Sequence, residues 1–352
     1  MNRKDEHVSL AKAFHKEKTN DFDSVHLIHE SLPQIDATQI DLHTTVGGFQ
    51  LTSPFYINAM TGGSEKTKQI NHDLAYIAKE TGLMIATGSV SAALKDPSVK
   101  DSYTIMREVY PEGKILTNVG AGVSLKKAQA AVELFHADAL QIHLNAPQEL
   151  VMPEGDRDFT SWLSLIEEIV AKISVPVIVK EVGFGMTRQT IKQLIDCGVQ
   201  TIDVSGQGGT SFTQIENTRR KKREFSYLND WGQSTVISLL EANEVPADFD
   251  LIASGGIRNA YDIFKALCLG AQAVGISGTI LNELLTNGID ETITLIRNWQ
   301  NQLQTLFALV GAQSIADLRN QSLLITGHPK EWCDARQISI QKYALRTNEN
   351  FS

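Results

Sequence analysis

The sequence predicts an α/β fold, a (β/α)8 TIM barrel, and three observations carry that reading. Short β-rich runs alternate with longer segments of helical period from about residue 54 to residue 310. There are eight such runs in a chain of 352 residues. Nearly every run ends in polar residues on its carboxyl-terminal side. Strand then helix, repeated eight times, closes into a parallel barrel. A doubly wound open sheet also alternates strand and helix, but it has no need of eight strands with polar ends.

The strands expected are PFYINA (54–59), LMIATGS (83–89), KILTNVG (114–120), ALQIHLN (139–145), PVIVKEV (176–182), TIDVSG (201–206), DLIASGG (250–256) and QAVGISG (272–278). Helical period fills Lys66–Thr81, Ser124–His136, Phe159–Ile173, Thr187–Cys197 and Asn259–Leu269 between them, several opened by Ser or Thr and closed near Gly. Polar positions follow the apolar part of each strand: Asn58 to Thr61, Ser89, Asn118, His143 to Glu149, Lys180, Ser205 to Thr210, Gly255 to Arg258, and Ser277 with Gly278. In such a barrel the carboxyl ends of the strands form the active-site face, because side chains and loop amides converge there on the axis. The segment QIHLNAPQEL (141–150) then reads as strand four delivering ligands to a shared cavity.

Three sequence regions are expected: residues 1–50 as an amino-terminal arm and lead-in contributing to the substrate site, 51–335 as the barrel, and 336–352 as a weakly ordered polar tail. The long segment 206–232 reads as a structureless lid, and its basic run Arg219–Arg223 as a solvated patch more than a phosphate clamp. The formal net charge of −9 repels a polyanion such as nucleic acid, so an anionic ligand must be held locally. Cys197, Cys268 and Cys333 lie far apart without metal spacing, which fits packing roles in a reducing, cytoplasmic setting. The amino terminus is charged where a signal peptide needs an apolar stretch, and no run approaches the roughly 18 apolar residues of a membrane span.

Glycine-rich turns follow strands seven and eight, in ASGGIRNAYD and GISGTIL. Glycine lets backbone N–H groups approach an anion, and a helix amino terminus adds a favourable dipole, so this pair of loops reads as a phosphate site. Lys180, at the end of the apolar strand VIVKEVG, needs an anionic partner if buried. A Schiff-base role, a salt bridge to Glu181 and a negatively charged cofactor ring each supply one. Together with the turns AMTGG (59–63) and TGSVS (87–91), these features outline a flavin mononucleotide (FMN) site in which Lys180 stabilises the anionic reduced ring.

The residues RKDEH, AMTGG, TGS, TNVG, QIHLNAPQE, VIVKEVGFG, DVSGQGGTSF with IE soon after, ASGGIR and GISG resemble the type 2 isopentenyl-diphosphate isomerases, from about residue 2 to 335 in order and spacing. That resemblance implies a soluble enzyme that uses reduced FMN and magnesium, with NADPH as the initial flavin reductant, on an isoprenoid diphosphate. It also implies a homo-oligomer, a tetramer or octamer. By the same resemblance FMN is held by Ala59, Met60, Thr61, Ser89, Asn118, Lys180, Ser205, Thr210, Gly256, Arg258, Ser277 and Gly278. Arg3, Lys4, His7, His143 and Asn145 meet the diphosphate, Glu149 binds Mg2+, and Gln148 sits against the hydrocarbon. Ser91 departs from relatives that carry an arginine after the TGS turn.

Moving the double bond requires protonating an alkene at one end and removing a proton beside the cationic centre, with no net electron transfer. An amide has no titratable proton near neutrality, so Gln148 orients or relays. The expectation is that reduced FMN, through N5, is the main acid and base and that Glu216 is a second proton carrier; a surface carboxylate is the equal alternative for Glu216. An FMN-dependent hydroxy-acid oxidase needs a histidine base that SGQGGTSF lacks, and an inosinate-dehydrogenase-like enzyme needs a cysteine there. A non-catalytic flavin- or phosphate-binding barrel is the remaining competitor.

Overall fold

Eight short strands rich in Ile, Val and Ala pair in parallel and close on themselves: β1 (Phe55–Ile57), β2 (Ile85–Ser89), β3 (Ile115–Gly120), β4 (Ala139–His143), β5 (Val177–Lys180), β6 (Thr201–Asp203), β7 (Asp250–Ser254) and β8 (Ala273–Ile276). The structure, a computed structural model, describes residues 3–14 and 19–347, without the side chain of Arg3. The protein is a TIM barrel, with β8 hydrogen-bonded to β1.

Alternation along each strand sends every second side chain to the barrel axis. Tyr56, Ala86, Leu116, Ala139, Ile178, Ile252 and Ala273 form one buried apolar cluster there, together with Val46 and Leu51. The last two come from an antiparallel hairpin, Thr44–Val46 with Phe49–Leu51, turned through Gly47 and Gly48 at φ of +58° and +78°. Gly47 N–H donates to Asp250 Oδ2 and Thr44 Oγ1 to the Gln272 carbonyl, so the hairpin plugs the amino-terminal end of the barrel. This part of the lead-in therefore closes the end opposite the polar face.

The helices follow their local signals. Glu65–Thr81 opens on a Ser64 capping box and closes at Gly82, φ +70°. Arg188–Asp196 is capped by Thr187, and Ala260–Cys268 by Asn259. Three expectations are corrected. Strand four stops at His143 rather than at Asn145, and Gln148 and Glu149 lie on a short helix, Ala146–Val151, with Pro147 in its first turn. The segment 206–232 is not structureless: Ser211 caps a helix, Phe212–Arg219, and Thr213 Oγ1, Ser211 Oγ and Asn217 tie it to the Leu228, Asn229 and Arg223 carbonyls. The tail after 336 is ordered through Leu345–Thr347, because Ile338 and the whole Tyr343 side chain are buried and Arg346 donates to the Cys268 carbonyl; residues 348–352 lie outside the described residues. Val25–Leu27 pairs antiparallel with Leu323–Ile325, stitching lead-in to tail. Among the described residues, the cysteines are free and no helix is long and apolar enough to cross a membrane.

Candidate active site

Above the apolar plug the axis turns polar. The next inward positions are Asn58, Asn118, Gln141, Lys180, Asp203 and Ser254, all buried, with Gly88 and Gly275 making room. A Cβ on Gly275 would lie 2.4 Å from Asn58 Nδ2, so only glycine fits beside that amide. Hydrogen bonds run unbroken across the layer. His143 Nδ1 lies 2.7 Å from Asn118 Oδ1, Asn118 Nδ2 donates to Gln141 Oε1, Gln141 Nε2 to Asn58 Oδ1, Asn58 Nδ2 to Asp203 Oδ2, and Ser254 Oγ to Asp203 Oδ1. Asp203 Oδ1 also accepts from the amide of Ser205, a non-glycine residue held at φ +32°.

Over this layer opens a cavity of about 810 Å3, bounded by the strand ends and by the helix Arg3–Phe14. It is lined by Ala59, Met60, Thr61, Ser89, Asn118, Lys180, Ser205, Thr210, Gly256, Arg258, Ser277 and Gly278, and by Lys4, His7, His143, Asn145, Gln148 and Glu149. Glu216 is not on the wall; it has no exposed surface and stands behind Gln148, so the surface-carboxylate alternative is excluded. Arg3 belongs to the arm helix, and its side chain lies outside the described residues.

Lys180 donates to the Glu181 backbone carbonyl at 2.5 Å, and no salt bridge among the described residues includes it. The Glu181 carboxylate instead accepts the Val182 and Phe184 amides, so the salt bridge to Glu181, one of the three alternatives open to Lys180, is not formed. Burial pulls Lys180 below the ordinary lysine range against the pull of Asp203 and Glu181. Burial likewise raises Asp203, which Lys180 and the surrounding donors oppose, and pushes Glu181 up to about 8. A buried cation without a carboxylate at contact distance, open to the cavity, is chemically suited to a bound anionic ring.

At the opposite wall the helix Gly278–Asn287 starts with no side-chain cap, so its first-turn amides open on the cavity beside Gly255 and Gly256, at φ +93° and +74°. These amides, the glycine turn and Lys180 fit the phosphate and ring of FMN. The Arg258 guanidinium is engaged by Asp23 and Asp262, and its own amide donates to Asp262. Ser91 Oγ receives a hydrogen bond from Ser89 Oγ.

The arm helix docks on its own barrel: Lys12 donates to the Leu285 carbonyl and Ser64 Oγ to Asp5. Its His7 Nε2 stands 3.1 Å from Glu216 Oε1 but off the line of a hydrogen bond, so that contact is electrostatic. Gln148 Nε2 donates to the same carboxylate at 3.0 Å, and Arg219 meets it at 2.5 Å. Burial pushes the Glu216 carboxyl up, but His7, Gln148 and Arg219 outweigh it and hold the group at about 2. Arg219 also reaches Glu154 and Glu6 and is only 15% exposed, so it is not part of a solvated patch; Arg220 binds Glu224 and the Val151 carbonyl, and only Lys221, Lys222 and Arg223 are exposed. Glu149 accepts from Asn145 Nδ2 and the Asp156 amide. Among the described residues no cluster of three or more His, Cys, Asp or Glu side chains could hold a metal. A single carboxylate on the cavity lining, as Glu149 is, suits Mg2+, which keeps several waters.

A family model described as FMN-dependent dehydrogenase matches residues 118–325. Isopentenyl-diphosphate delta-isomerase of Latilactobacillus sakei subsp. sakei is 50% identical over 339 residues, covering 96% of this chain and 97% of that one. The chain belongs to the isopentenyl-diphosphate delta-isomerase family. Relatives of the same name from Listeria welshimeri and Staphylococcus epidermidis are 48% and 46% identical, over 98% and 97% of this chain and 97% of each of theirs. Solved mandelate oxidases, one a mutant with the monooxide FMN adduct and one with (S)-2-phenylpropionate, each align with a TM-score of 0.64 at 17% and 16% identity. They cover 91% of this chain and 92% and 90% of theirs, and they share the barrel fold.

For this member of the isomerase family the sequence reading assigns no role to Gln141, Asp203 and Glu154, and places Arg219 only in a solvated patch. The first two carried a signal, since each lies two residues after an inward apolar or small strand position, Ala139 and Thr201. Arg219 and Glu154 are far apart in sequence and carried none.

Proposed function

We propose that this protein interconverts isopentenyl diphosphate and dimethylallyl diphosphate by proton transfer beside reduced FMN, with Mg2+ on the diphosphate. The observation that carries this reading is one cavity lined both by a buried cation and uncapped amides, Lys180 and the helix start at Gly278, and by the polar set Lys4, His143, Asn145, Gln148 and Glu149.

In this reading Lys180, Ala59, Met60, Thr61, Ser89, Asn118, Ser205, Thr210, Gly256, Arg258, Ser277 and Gly278 hold FMN, and Glu149 holds Mg2+ with diphosphate oxygens. The bound reduced flavin supplies an electron-rich face and a titratable nitrogen, with NADPH as its reductant. Arg3, Lys4, His7, His143 and Asn145 take the diphosphate, by fork-shaped, point-charge and ring contacts. Gln148 lies against the hydrocarbon. Its amide is oriented by Glu216, which accepts from Nε2, and by Asn145 Nδ2, which donates to Oε1 at 3.4 Å. Held at about 2 and standing behind Gln148, Glu216 is ionised near neutrality, so it enters as the anion that orients the amide and as an electrostatic partner of the cationic centre rather than as the acid.

Photoreduced holoprotein incubated with isopentenyl diphosphate and Mg2+ in deuterated water, without air, tests this. Deuterium exchange and dimethylallyl diphosphate support it; an unchanged substrate rejects it.

A further inference from the structure

We infer that Asp203, acting through a relay of three amides, sets His143 as the tautomer with its proton on Nδ1, so that His143 can grip an anion only after taking up a proton from solvent. The consequence for ligand binding rests on the diphosphate reading above; the tautomer does not.

The direction of the relay is anchored at two points. The Ala59 amide, 2.8 Å from Asn58 Oδ1, can only donate, which makes that atom the acceptor. Asn58 Nδ2 therefore faces Asp203, which receives three donors, from Asn58, Ser254 and Ser205, the pattern of an ionised carboxylate. With Asn58 oriented, its Oδ1 takes Gln141 Nε2 at 3.0 Å, and Gln141 Oε1 takes Asn118 Nδ2 at 3.1 Å. Asn118 Oδ1 is left 2.7 Å from His143 Nδ1. An amide oxygen carries no proton, so the ring nitrogen must supply it. A neutral imidazole has one N–H, and Nε2 is then a bare acceptor at the cavity wall beside Gly120.

The surroundings oppose a second proton. Burial acts against it, as do the ammonium groups of Lys180 from β5 and Lys4 from the arm helix; the Val119 carbonyl on β3 is the one neighbour that favours it. Together they hold the ring at about 3. A diphosphate offers acceptor oxygens, and a bare Nε2 facing them is repulsive. Binding must therefore convert the ring to imidazolium, in which Nδ1–H still serves Asn118 and the new Nε2–H serves the anion. Asp203 is thus a positioning residue, distant from the ligand, with Gln141 its middle link.

The test is 15N NMR of the full-length holoprotein labelled at the histidine imidazole nitrogens, with His143→Asn identifying the resonances. The wild-type ring at neutral pH should show a bare Nε2 and a protonated Nδ1. Inorganic pyrophosphate, added with a metal chelator, should move Nε2 into the protonated range. Gln141→Met, which does not touch the cavity, should release the ring toward the Nε2–H form while the flavin stays bound. A wild-type ring already protonated on Nε2, a ring indifferent to pyrophosphate, or an unchanged tautomer in folded Gln141→Met would each overturn the inference. Should Gln141→Met fail to fold, the two wild-type measurements still decide. No turnover is read, so failure of the isomerase reading would leave the tautomer result standing.

Discussion

Two carboxylates in this molecule have the same electrostatics and opposite purposes. Glu216 and Glu241 have no exposed side-chain surface, both meet arginines, and both are held at about 2. Glu241 receives Arg188, Arg336 and the Trp332 indole, and these three fasten the helix Gly327–Arg336 to the barrel flank. Glu216 receives Arg219 and Gln148, and Gln148 reaches on into the cavity. A depressed carboxyl is therefore no mark of function by itself. What distinguishes the two is whether a partner of the carboxylate lines a space that a ligand can enter.

The largest effect that would break this contrast is at Gln148. Gln148→Ala should lower turnover by about 10²–10⁴-fold, the range of a positioned proton-transfer group, with the flavin still bound by absorbance. Next, Glu241→Ala strands two arginines and should cost about 3–5 kcal/mol of stability, read as a melting temperature lower by several degrees. A pH series sharpens the point. Burial pushes Glu241 up, but Arg336, Trp332 and Arg188 outweigh it, so its folded value lies below the ordinary 4.5. Its contribution is then fully present above about pH 4.5 and is lost as pH falls toward 2, so the stability gap between wild type and Glu241→Gln should close over that window. The smallest effect is expected at the exposed pair Lys172–Glu168, where Lys172→Ala should change stability by about 0.5 kcal/mol or less in denaturant titration.

The barrel was legible because strands such as AVGI and VIVK are short and rich in apolar, β-branched residues, and because polarity gathers at one end of each. The register that makes Gln141 and Asp203 neighbours through Asn58 was not, since it depends on how eight strands stagger around an axis. The helix Phe212–Arg219 escaped because TQIENTR has no apolar stripe; side-chain caps and the buried Ile215 hold it instead. Arg219 read as solvent-facing because its partners Glu6 and Glu154 are 213 and 65 residues away. Tyr343 anchors the tail as an isolated aromatic eight residues from the next one, Phe351, in a polar stretch, a signal too sparse for periodicity to register.

Turnover of isopentenyl diphosphate by reduced Glu216→Gln, set beside Glu241→Gln at a temperature where both are folded, tests the account most directly. The account predicts a rate lower by about tenfold or more for Glu216→Gln, and a wild-type rate with a reduced melting temperature for Glu241→Gln. A wild-type rate in Glu216→Gln would contradict it.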